Sequence, residues 1–277
     1  MKKRKCISQL LLILTMAGLT VIFLIPLYWT IVMSFDQTVF TEIPTPPRMW
    51  PRVVSLSNYQ YAFQNVPLIR YTLNTVMISL ACTVISLVSG LMSGYAFAKG
   101  RFFFKKALFL FILIEMMVPF QTIMIPLYTQ YVQWGLIGTY WPIVLGYLKY
   151  PFGTFLSKQN IESIPDSLRE ACYIDGGSEW RTFLFIIVPN CGPIIATMCI
   201  LQIIGSWNSF LWPMIIIKKR EMFTLPLGVA MFNSSENVML LGPRMAVAFL
   251  SALPLIVLYL FLQRYIVASV AVSGMKE

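Results

Sequence analysis

The chain has 277 residues, of which 58% are hydrophobic and only 12% are charged, and its mean hydropathy is +0.74. Soluble domains carry about 25% charged residues, so this composition excludes an ordinary soluble protein and predicts a protein embedded in a lipid bilayer. The formal net charge of +10 does not indicate nucleic-acid binding, because the basic residues cluster beside apolar segments, where they orient membrane helices.

Six apolar segments predict an all-α, polytopic membrane protein with six transmembrane helices in a single domain over residues 1–277. A helix needs about 20 apolar residues to cross a bilayer. The predicted spans cover residues 7–33, 69–98, 107–128, 139–156, 182–217 and 245–262. The first span follows the basic stretch 2–5, but it is too long for a cleavable signal peptide and lacks a small-residue cleavage site, so we expect it to be retained.

The segment between the first two spans, residues 34–67, is rich in proline and aromatic residues and poor in charge. This composition predicts an ordered external loop rather than a flexible linker. Two interpretations remain open: the loop contacts an extracytoplasmic partner, or it lies on the lipid headgroups.

The second span carries Ser86, Gly90 and Gly94 at intervals of four residues, which places them on one helix face. Small residues with this spacing let membrane helices approach closely, so they predict helix packing within or between subunits. The following loop, residues 99–106, holds four basic residues and is predicted to be cytoplasmic.

The third span contains Glu115, the one acidic residue deep in an apolar segment. A charge at the bilayer centre costs about 2.5–3.5 kcal/mol on insertion scales, which makes such a residue a candidate for the substrate path. The alternative is that Glu115 lies near a helix end, protonated or paired with a neighbour. Pro119 and Pro126 are expected to kink this span, because each removes a backbone donor.

The long polar segment that follows the fourth span, about residues 158–181, predicts a helix, a turn and a second helix at the membrane surface. The first helix is expected to begin near Pro165 and Asp166, because proline and an acidic group suit a first turn. The glycine pair that starts at Gly176 ends this helix, and Ser178 caps the next one. Such an arrangement is a docking platform and not a catalytic pocket.

The apolar segment after the platform is too long for one simple span. Pro189 and Pro193 are expected to break its start, and the run 205–208 its middle. Within that run, Trp207 and Asn208 are candidates for the substrate path, since sugars stack on aromatic rings and hydrogen-bond amides. The alternative is a kink that serves helix packing.

The distribution of lysine and arginine favours an orientation with both termini in the cytoplasm. Residues 218–244 then form an external loop, and residues 263–277 form a cytoplasmic tail. The cluster Lys218, Lys219 and Arg220 opposes this orientation, which is kept because the first helix usually dominates.

The residue inventory excludes several kinds of catalysis. The sequence has no histidine, which removes Ser–His and Cys–His nucleophiles and histidine metal ligands. The five cysteines form no C-x-x-C pair and are interpreted as small buried hydrophobic residues. No G-x-x-x-x-G-K-[ST] loop occurs, so any ATP that drives this protein is bound by another chain. We therefore expect no enzyme activity, metal or cofactor in this chain.

The residues of the platform resemble a known family. Glu170-Ala171, Asp175-Gly176 and Pro189 are similar to the EAA loop of ABC importer permeases. Further matches are Met116-Met117-Val118-Pro119, Ile125-Pro126-Leu127-Tyr128, Gly205-Ser206-Trp207-Asn208, Phe210-Leu211-Trp212-Pro213, Thr224-Leu225-Pro226-Leu227-Gly228 and Gln263-Arg264-Tyr265. Together they resemble the carbohydrate-uptake branch, in particular the smaller permease subunit of maltose importers, over nearly the whole chain.

This resemblance implies a permease subunit of an ATP-driven, binding-protein-dependent sugar importer in the bacterial cytoplasmic (inner) membrane, forming half of the translocation path. The implied partners are a second, homologous permease, a dimer of ATPase subunits that hold ATP and Mg²⁺, an extracytoplasmic solute-binding protein and the sugar. The first platform helix would be the coupling helix that docks in a cleft of the ATPase. The residues expected at that contact are Pro165, Leu168, Glu170, Ala171, Cys172, Asp175 and Gly176.

Two departures from the family pattern are visible: Cys172 replaces the second alanine of the EAA motif, and residues 268–276 differ from the usual C-terminal ending. The second departure leaves open whether the tail contacts the ATPases. Two alternative functions also remain. One is an ion-gradient-driven secondary transporter, for which Glu115 alone is available as an intramembrane coupling site, and the other is an ABC permease for a non-sugar solute such as a glycerol phosphate.

Overall fold

The structure is a computed structural model that describes residues 2–40, 42–234 and 240–274, with side chains from Gln9 to Phe261 within those ranges. The described residues are mostly helical and contain no β-strand, which confirms the all-α class. The helices are α1 (Lys2–Phe35), α2 (Ser57–Asn65), α3 (Leu68–Lys99), α4 (Lys105–Glu115), α5 (Phe120–Gln133), α6 (Trp141–Gly146), α7 (Pro151–Glu162), α8 (Asp166–Ile174), α9 (Glu179–Thr182), α10 (Val188–Asn190), α11 (Gly192–Trp207), α12 (Leu211–Ile216), α13 (Leu225–Asn233) and α14 (Leu241–Gly274).

Three helical segments among the described residues are long and apolar enough to cross a membrane: Gln9–Phe35, Leu68–Lys99 and Leu241–Phe261. Two bent pairs raise this number to five if each pair counts as one span. The first pair is α4 with α5, and the second combines the helical run Glu179–Asn190 with α11. By length and composition alone, the described residues therefore do not reach the predicted six spans.

The predicted fourth span, residues 139–156, is not one continuous helix. Helix α6 ends at Gly146 and α7 begins only at Pro151, so the segment is broken in its middle. Tyr150 has φ −133° and ψ 72°, which is not helical. The cause is local, because the ring of a proline pushes the preceding residue out of the helical region.

The expected breaks in the third span and in the segment after the platform are largely confirmed. Helices α4 and α5 are bent by 99° across Met116–Pro119, whereas Pro126 lies inside α5, which continues to Gln133. The bend between Glu179–Asn190 and α11 is 79°, at Cys191. A π-helical turn precedes Pro189, where the proline nitrogen has no hydrogen to donate.

The contacts of the chain separate two compact units, residues 1–70 with 228–256, and residues 71–227 with 257–277. The interpretation of the chain as one permease domain stays a prediction. The stretch predicted as a C-terminal tail continues α14 as helix as far as Gly274. The predicted external loop 218–244 contains α13, a helix that was not predicted from the sequence.

In the first unit, the loop after α1 is ordered around Asp36, in agreement with the order that its proline-rich composition predicts. Its buried carboxylate accepts hydrogen bonds from the Thr38 backbone and hydroxyl at 3.0 and 2.8 Å and from the Arg52 backbone at 3.0 Å. Asn58 of α2 is also buried and donates to the Ser34 and Asp36 carbonyls at 3.0 and 2.9 Å. Burial raises the pKa of Asp36, but the hydrogen bonds from Arg52, Thr38 and Val53 outweigh it and leave the pKa below its usual value.

In the second unit, α3 runs alongside two apolar clusters. One contains Ile78, Ile143 and Trp212 among its buried members, and the other contains Leu91, Ile161 and Ile187. The first cluster includes Leu227, which explains why residues 225–227 fold back onto the protein instead of forming a solvated loop. The second cluster lies directly under the polar platform.

Candidate functional site: an exposed helical platform

The platform forms the helix–turn–helix that the sequence predicts. Pro165 precedes α8 in an extended conformation, and Asp166 is the first helical residue. After the turn, the Ser178 hydroxyl accepts a hydrogen bond from the Arg181 amide at 3.3 Å and so caps α9. These bounds confirm the helix-start signals at Pro165, Asp166 and Ser178.

The turn between the two helices depends on Gly176. Its φ is +76°, a left-handed conformation that side chains with a Cβ rarely adopt. The Gly176 amide donates to the Tyr173 carbonyl at 3.0 Å, and the Gly177 amide donates to the Cys172 carbonyl at 2.8 Å. This pair of bonds is the Schellman motif, which satisfies the last carbonyls of α8 and ends the helix where the sequence predicts.

Helix α8 is held to the rest of its unit by a small set of bonds that we call the Lys99 clamp. The Lys99 side chain is only 9% exposed, and its Nζ donates to the Ile164 carbonyl at 2.7 Å and lies 2.9 Å from the Asp166 carboxylate. In the opposite direction, Arg169 Nη1 of α8 donates to the Lys99 carbonyl at 3.1 Å. The hydrogen bond and positive charge of Lys99 lower the pKa of Asp166 below its ordinary value.

A second polar contact joins α3 to α9, because the Tyr95 hydroxyl donates to the Glu179 carboxylate. A cavity of about 240 Å³ lies between the end of α3, α8 and α9. Its lining is mostly apolar and includes Met92, Trp180 and Phe183. The platform therefore rests on α3 through a few polar bonds around an incompletely filled space.

The outer face of α8 has no partner among the described residues, since none of the residues in this helix is buried. Leu168 is exposed, and Ile174 is 85% exposed, although burial of such a side chain gains about 1.5–3 kcal/mol. Of the residues expected at the ATPase contact, Pro165, Leu168, Glu170, Ala171, Asp175 and Gly176 are exposed and Cys172 is partly exposed. Their role at that contact stays a prediction. Ile174 was not among the expected residues, although an apolar residue directly before the turn at Asp175-Gly176 could have indicated it.

Glu115, a candidate for the substrate path, is the last residue of α4. Its carboxylate lies 2.7 Å from Lys149 Nζ, and both side chains are partly exposed, at 36% and 48%. This is the arrangement that the alternative interpretation described, near a helix end and paired with a neighbour. Lys149 was missed as a partner, although a cation inside a predicted span is a signal for such pairing.

The other two candidates for the path, Trp207 and Asn208, are not brought together on one surface. Trp207 is the last residue of α11 and is buried, whereas Asn208 is exposed. The Asn208 amide donates to the Ile204 carbonyl at 3.0 Å and so closes the end of α11. A role of either residue in a substrate path stays a prediction.

The three small residues of α3 face α7 and the turn before it. The Ser86 hydroxyl donates to the Tyr147 carbonyl at 2.8 Å. A Cβ on Gly90 would lie 3.0 Å from the Met198 methyl group, and one on Gly94 would lie 2.4 Å from the Ser157 Cβ. Real Cβ atoms essentially never come within 3.0 Å of another heavy atom, so at Gly94 the backbones of α3 and α7 meet at a distance that only glycine allows. The contact at Gly90 is tight and is made with the end of a side chain of α11.

Comparison with known proteins shows where this fold occurs. The family described as "Binding-protein-dependent transport system inner membrane component" matches residues 86–272, which is more than half of the chain. The arabinooligosaccharides transport system permease protein AraQ of Halalkalibacterium halodurans is 36% identical over 235 residues, covering 82% of this chain and 81% of the relative. The diacetylchitobiose uptake system permease protein NgcG of Streptomyces coelicolor is 28% identical over 268 residues, covering 96% and 87%.

Among solved structures, a chain of a bacterial ABC transporter involved in the import of the acidic polysaccharide alginate superposes with a TM-score of 0.82. The two chains are 21% identical, and the match covers 94% of this chain and 96% of the other. At this identity the likeness shows a shared fold, and together with the family match it confirms the expected permease fold.

Proposed function

Because the chain belongs to the family of binding-protein-dependent transport system inner membrane components, we propose that it is the permease subunit of an ATP-driven oligosaccharide importer. The relatives reported above are named for arabinooligosaccharides and diacetylchitobiose, which favours a sugar over a glycerol phosphate or another non-sugar solute. The proposed assembly contains this chain, a second homologous permease, two ATPase subunits and an extracytoplasmic binding protein. Both termini of this chain lie in the cytoplasm of the bacterium.

The observation that carries this proposal is the outer face of α8, an apolar and acidic surface for which the described part of the chain provides no partner. Leu168 and Ile174 supply apolar area that docking removes from water. Glu170 supplies a negative charge for a basic group of the ATPase. Ala171 and Cys172 are small, so an ATPase cleft can approach the helix axis closely.

The Lys99 clamp provides a route by which movement of α8 reaches the membrane segments. It fastens α8 to the last residue of α3, and Gly94 of α3 lies against Ser157 of α7. A displacement of α8 by an ATPase is therefore transmitted to two helices together. Transport follows if ATP binds the assembly more tightly in one arrangement of these helices than in the other.

The ion-gradient alternative is less well supported by the geometry. It requires Glu115 to exchange a proton or cation during transport, but the carboxylate already forms an ion pair with Lys149 at 2.7 Å. A secondary transporter also has no ATPase partner that would cover the exposed side chains of Leu168 and Ile174.

The test is capture of the ATPase subunits by the affinity-tagged chain from membranes in which the whole assembly is produced. Leu168→Glu with Ile174→Glu should abolish co-purification, because the contact would have to bury two uncompensated charges. Val54→Glu is the matched control, since Val54 is an exposed apolar residue of the loop after α1. Retention of the ATPase by the α8 variant, or equal loss in both variants, would refute docking through α8.

A further inference from the structure

The turn between α3 and α4 exposes three consecutive phenylalanines. Phe102 packs against Phe97, with ring centroids 5.5 Å apart, whereas Phe103 and Phe104 are 90% and 76% exposed. Leu108 and Phe111 of α4 are also exposed, so an apolar surface continues from the turn along the helix. Phenylalanine and leucine side chains on the apolar face of a segment that also carries basic residues are typical of the boundary between acyl chains and headgroups.

The same turn carries excess positive charge. Lys105 Nζ donates to the Ala98 and Gly100 carbonyls at 3.1 and 3.0 Å and closes the turn. Arg101 and Lys106 are exposed, and neither forms an ion pair within 4.0 Å among the residues whose side chains are described. The sequence has no carboxylate from residue 100 to residue 114. The Asp166 carboxylate interacts electrostatically with Arg101, but it already forms an ion pair with Lys99 and so does not balance the charge of the turn.

We propose that this turn, residues 100–106, is an anchor for anionic phospholipids. Phe103 and Phe104 enter the region between headgroups and acyl chains, while Arg101 and Lys106 bind headgroup phosphates. Basic residues next to a membrane helix gain affinity for anionic lipid in this way. A soluble partner is disfavoured, because the two rings extend the apolar surface of a membrane segment rather than that of α8.

The anchor has a consequence for the platform. Lys99 ends α3 immediately before the turn and fastens α8 through its bonds to Ile164 and Asp166. A lipid contact that fixes the depth of the turn therefore also fixes the Lys99 clamp. The inference rests on the proposed function only in assigning the turn to the cytoplasmic leaflet.

The experiment uses the purified full chain in nanodiscs of phosphatidylcholine, with or without phosphatidylglycerol. Phosphatidylglycerol should raise the Tm of the chain. Arg101→Gln with Lys106→Gln should lose most of that rise and bind phosphatidylglycerol on the order of tenfold more weakly. Lys218→Gln with Lys219→Gln removes the same charge from another exposed turn and should retain the rise. In the Phe103→Trp variant, lipids with brominated acyl chains should quench the new indole fluorescence.

Several results would overturn the anchor. If both double variants lost the phosphatidylglycerol-dependent rise in Tm equally, the effect would be one of general charge and not of this turn. If the indole at position 103 were not quenched, the ring would lie outside the membrane. A rise in Tm reproduced by inorganic phosphate or soluble glycerol phosphate would show a site for free anions instead of lipid. Because these nanodiscs contain no ATPase, the outcome is independent of whether α8 binds one.

Discussion

The loop after α1 and the platform around α8 are both polar segments next to membrane helices, but they are stabilised in opposite ways. The loop is organised around two buried polar side chains: the Asp36 carboxylate accepts hydrogen bonds from the loop backbone, and the Asn58 side-chain amide donates to the Ser34 and Asp36 carbonyls. Helix α8 buries none of its residues and is attached at its edge by Lys99 and Arg169. A segment that carries its own polar core is complete by itself, whereas one held by a few edge bonds is suited to move with a partner.

The largest effect should come from breaking the core of the loop. Asp36→Ala removes the acceptor of the Thr38 and Arg52 amides and leaves Arg48, 3.8 Å away, without its buried partner. The loop should lose about 3 kcal/mol or more of stability, seen as a lower Tm and faster proteolysis within residues 36–56.

Glu42→Ala is the control for this change, because Glu42 is the other carboxylate near Arg48, at 3.7 Å, but is exposed. Loss of an exposed pair should cost less than about 1 kcal/mol. If the two variants were equally stable, the burial of Asp36 would not be what orders the loop.

The next effect tests the attachment of the platform. Lys99→Met keeps the aliphatic stem but removes the hydrogen bond to the Ile164 carbonyl, worth about 1.5–3 kcal/mol because its donor is charged, together with the contact to the exposed Asp166 carboxylate. In the reconstituted assembly, sugar uptake should fall by about tenfold or more while ATP hydrolysis continues, because the coupling of α8 to α3 then depends mainly on the remaining bond from Arg169 to the backbone carbonyl of residue 99.

The matched control is Lys219→Met, which replaces an exposed lysine outside the platform. Its uptake should equal that of the wild type. If Lys99→Met took up sugar at the wild-type rate, the Lys99 clamp would not be what couples α8 to transport. Hydrogen exchange of the α8 amides gives an independent readout, which should be faster in this variant alone.

A smaller effect concerns the turn. In Gly176→Ala the added Cβ would contact no other atom, but the alanine would have to adopt the left-handed backbone conformation. This conformation costs about 1–2 kcal/mol of stability for a residue with a Cβ. Gly146→Ala also meets open space and has no such conformation, so it should leave stability unchanged or slightly improved. Equal Tm values for the two variants would contradict the Schellman turn as the end of α8.

The smallest effect is that of pH on the clamp. The pKa of Asp166 is lowered in the folded protein. Its carboxylate therefore contributes fully to the stability of the Lys99 clamp above the usual carboxyl pKa of 3.8, and this contribution is lost only as the pH falls through the lowered pKa. Hydrogen exchange at the α8 amides, corrected for its intrinsic pH dependence, should show constant protection from pH 8 to about pH 5 and loss of protection only in stronger acid. Asp166→Asn should show weaker protection throughout and no acid transition; a transition retained in that variant would assign it to another group.

Much of the platform was predictable because its determinants are local. A proline and an acid at a helix start, a glycine that adopts positive φ and a serine cap act on adjacent residues, and all are visible in the sequence at Pro165, Asp166, Gly176 and Ser178. The break in the fourth span was not predicted, because the span was assigned from the hydropathy of residues 139–156. Pro151 indicates the break, since a proline disfavours a helical conformation of the residue before it.

The sequence by itself determined the membrane setting, the all-α class and the boundaries of the platform, since hydropathy and backbone preference are properties of neighbouring residues. Only the tertiary structure decided that Lys99 meets Ile164, 65 positions away, and that Lys149 meets Glu115, 34 positions away. No periodicity encodes such pairs, because they form only when packed helices bring distant side chains within hydrogen-bonding distance.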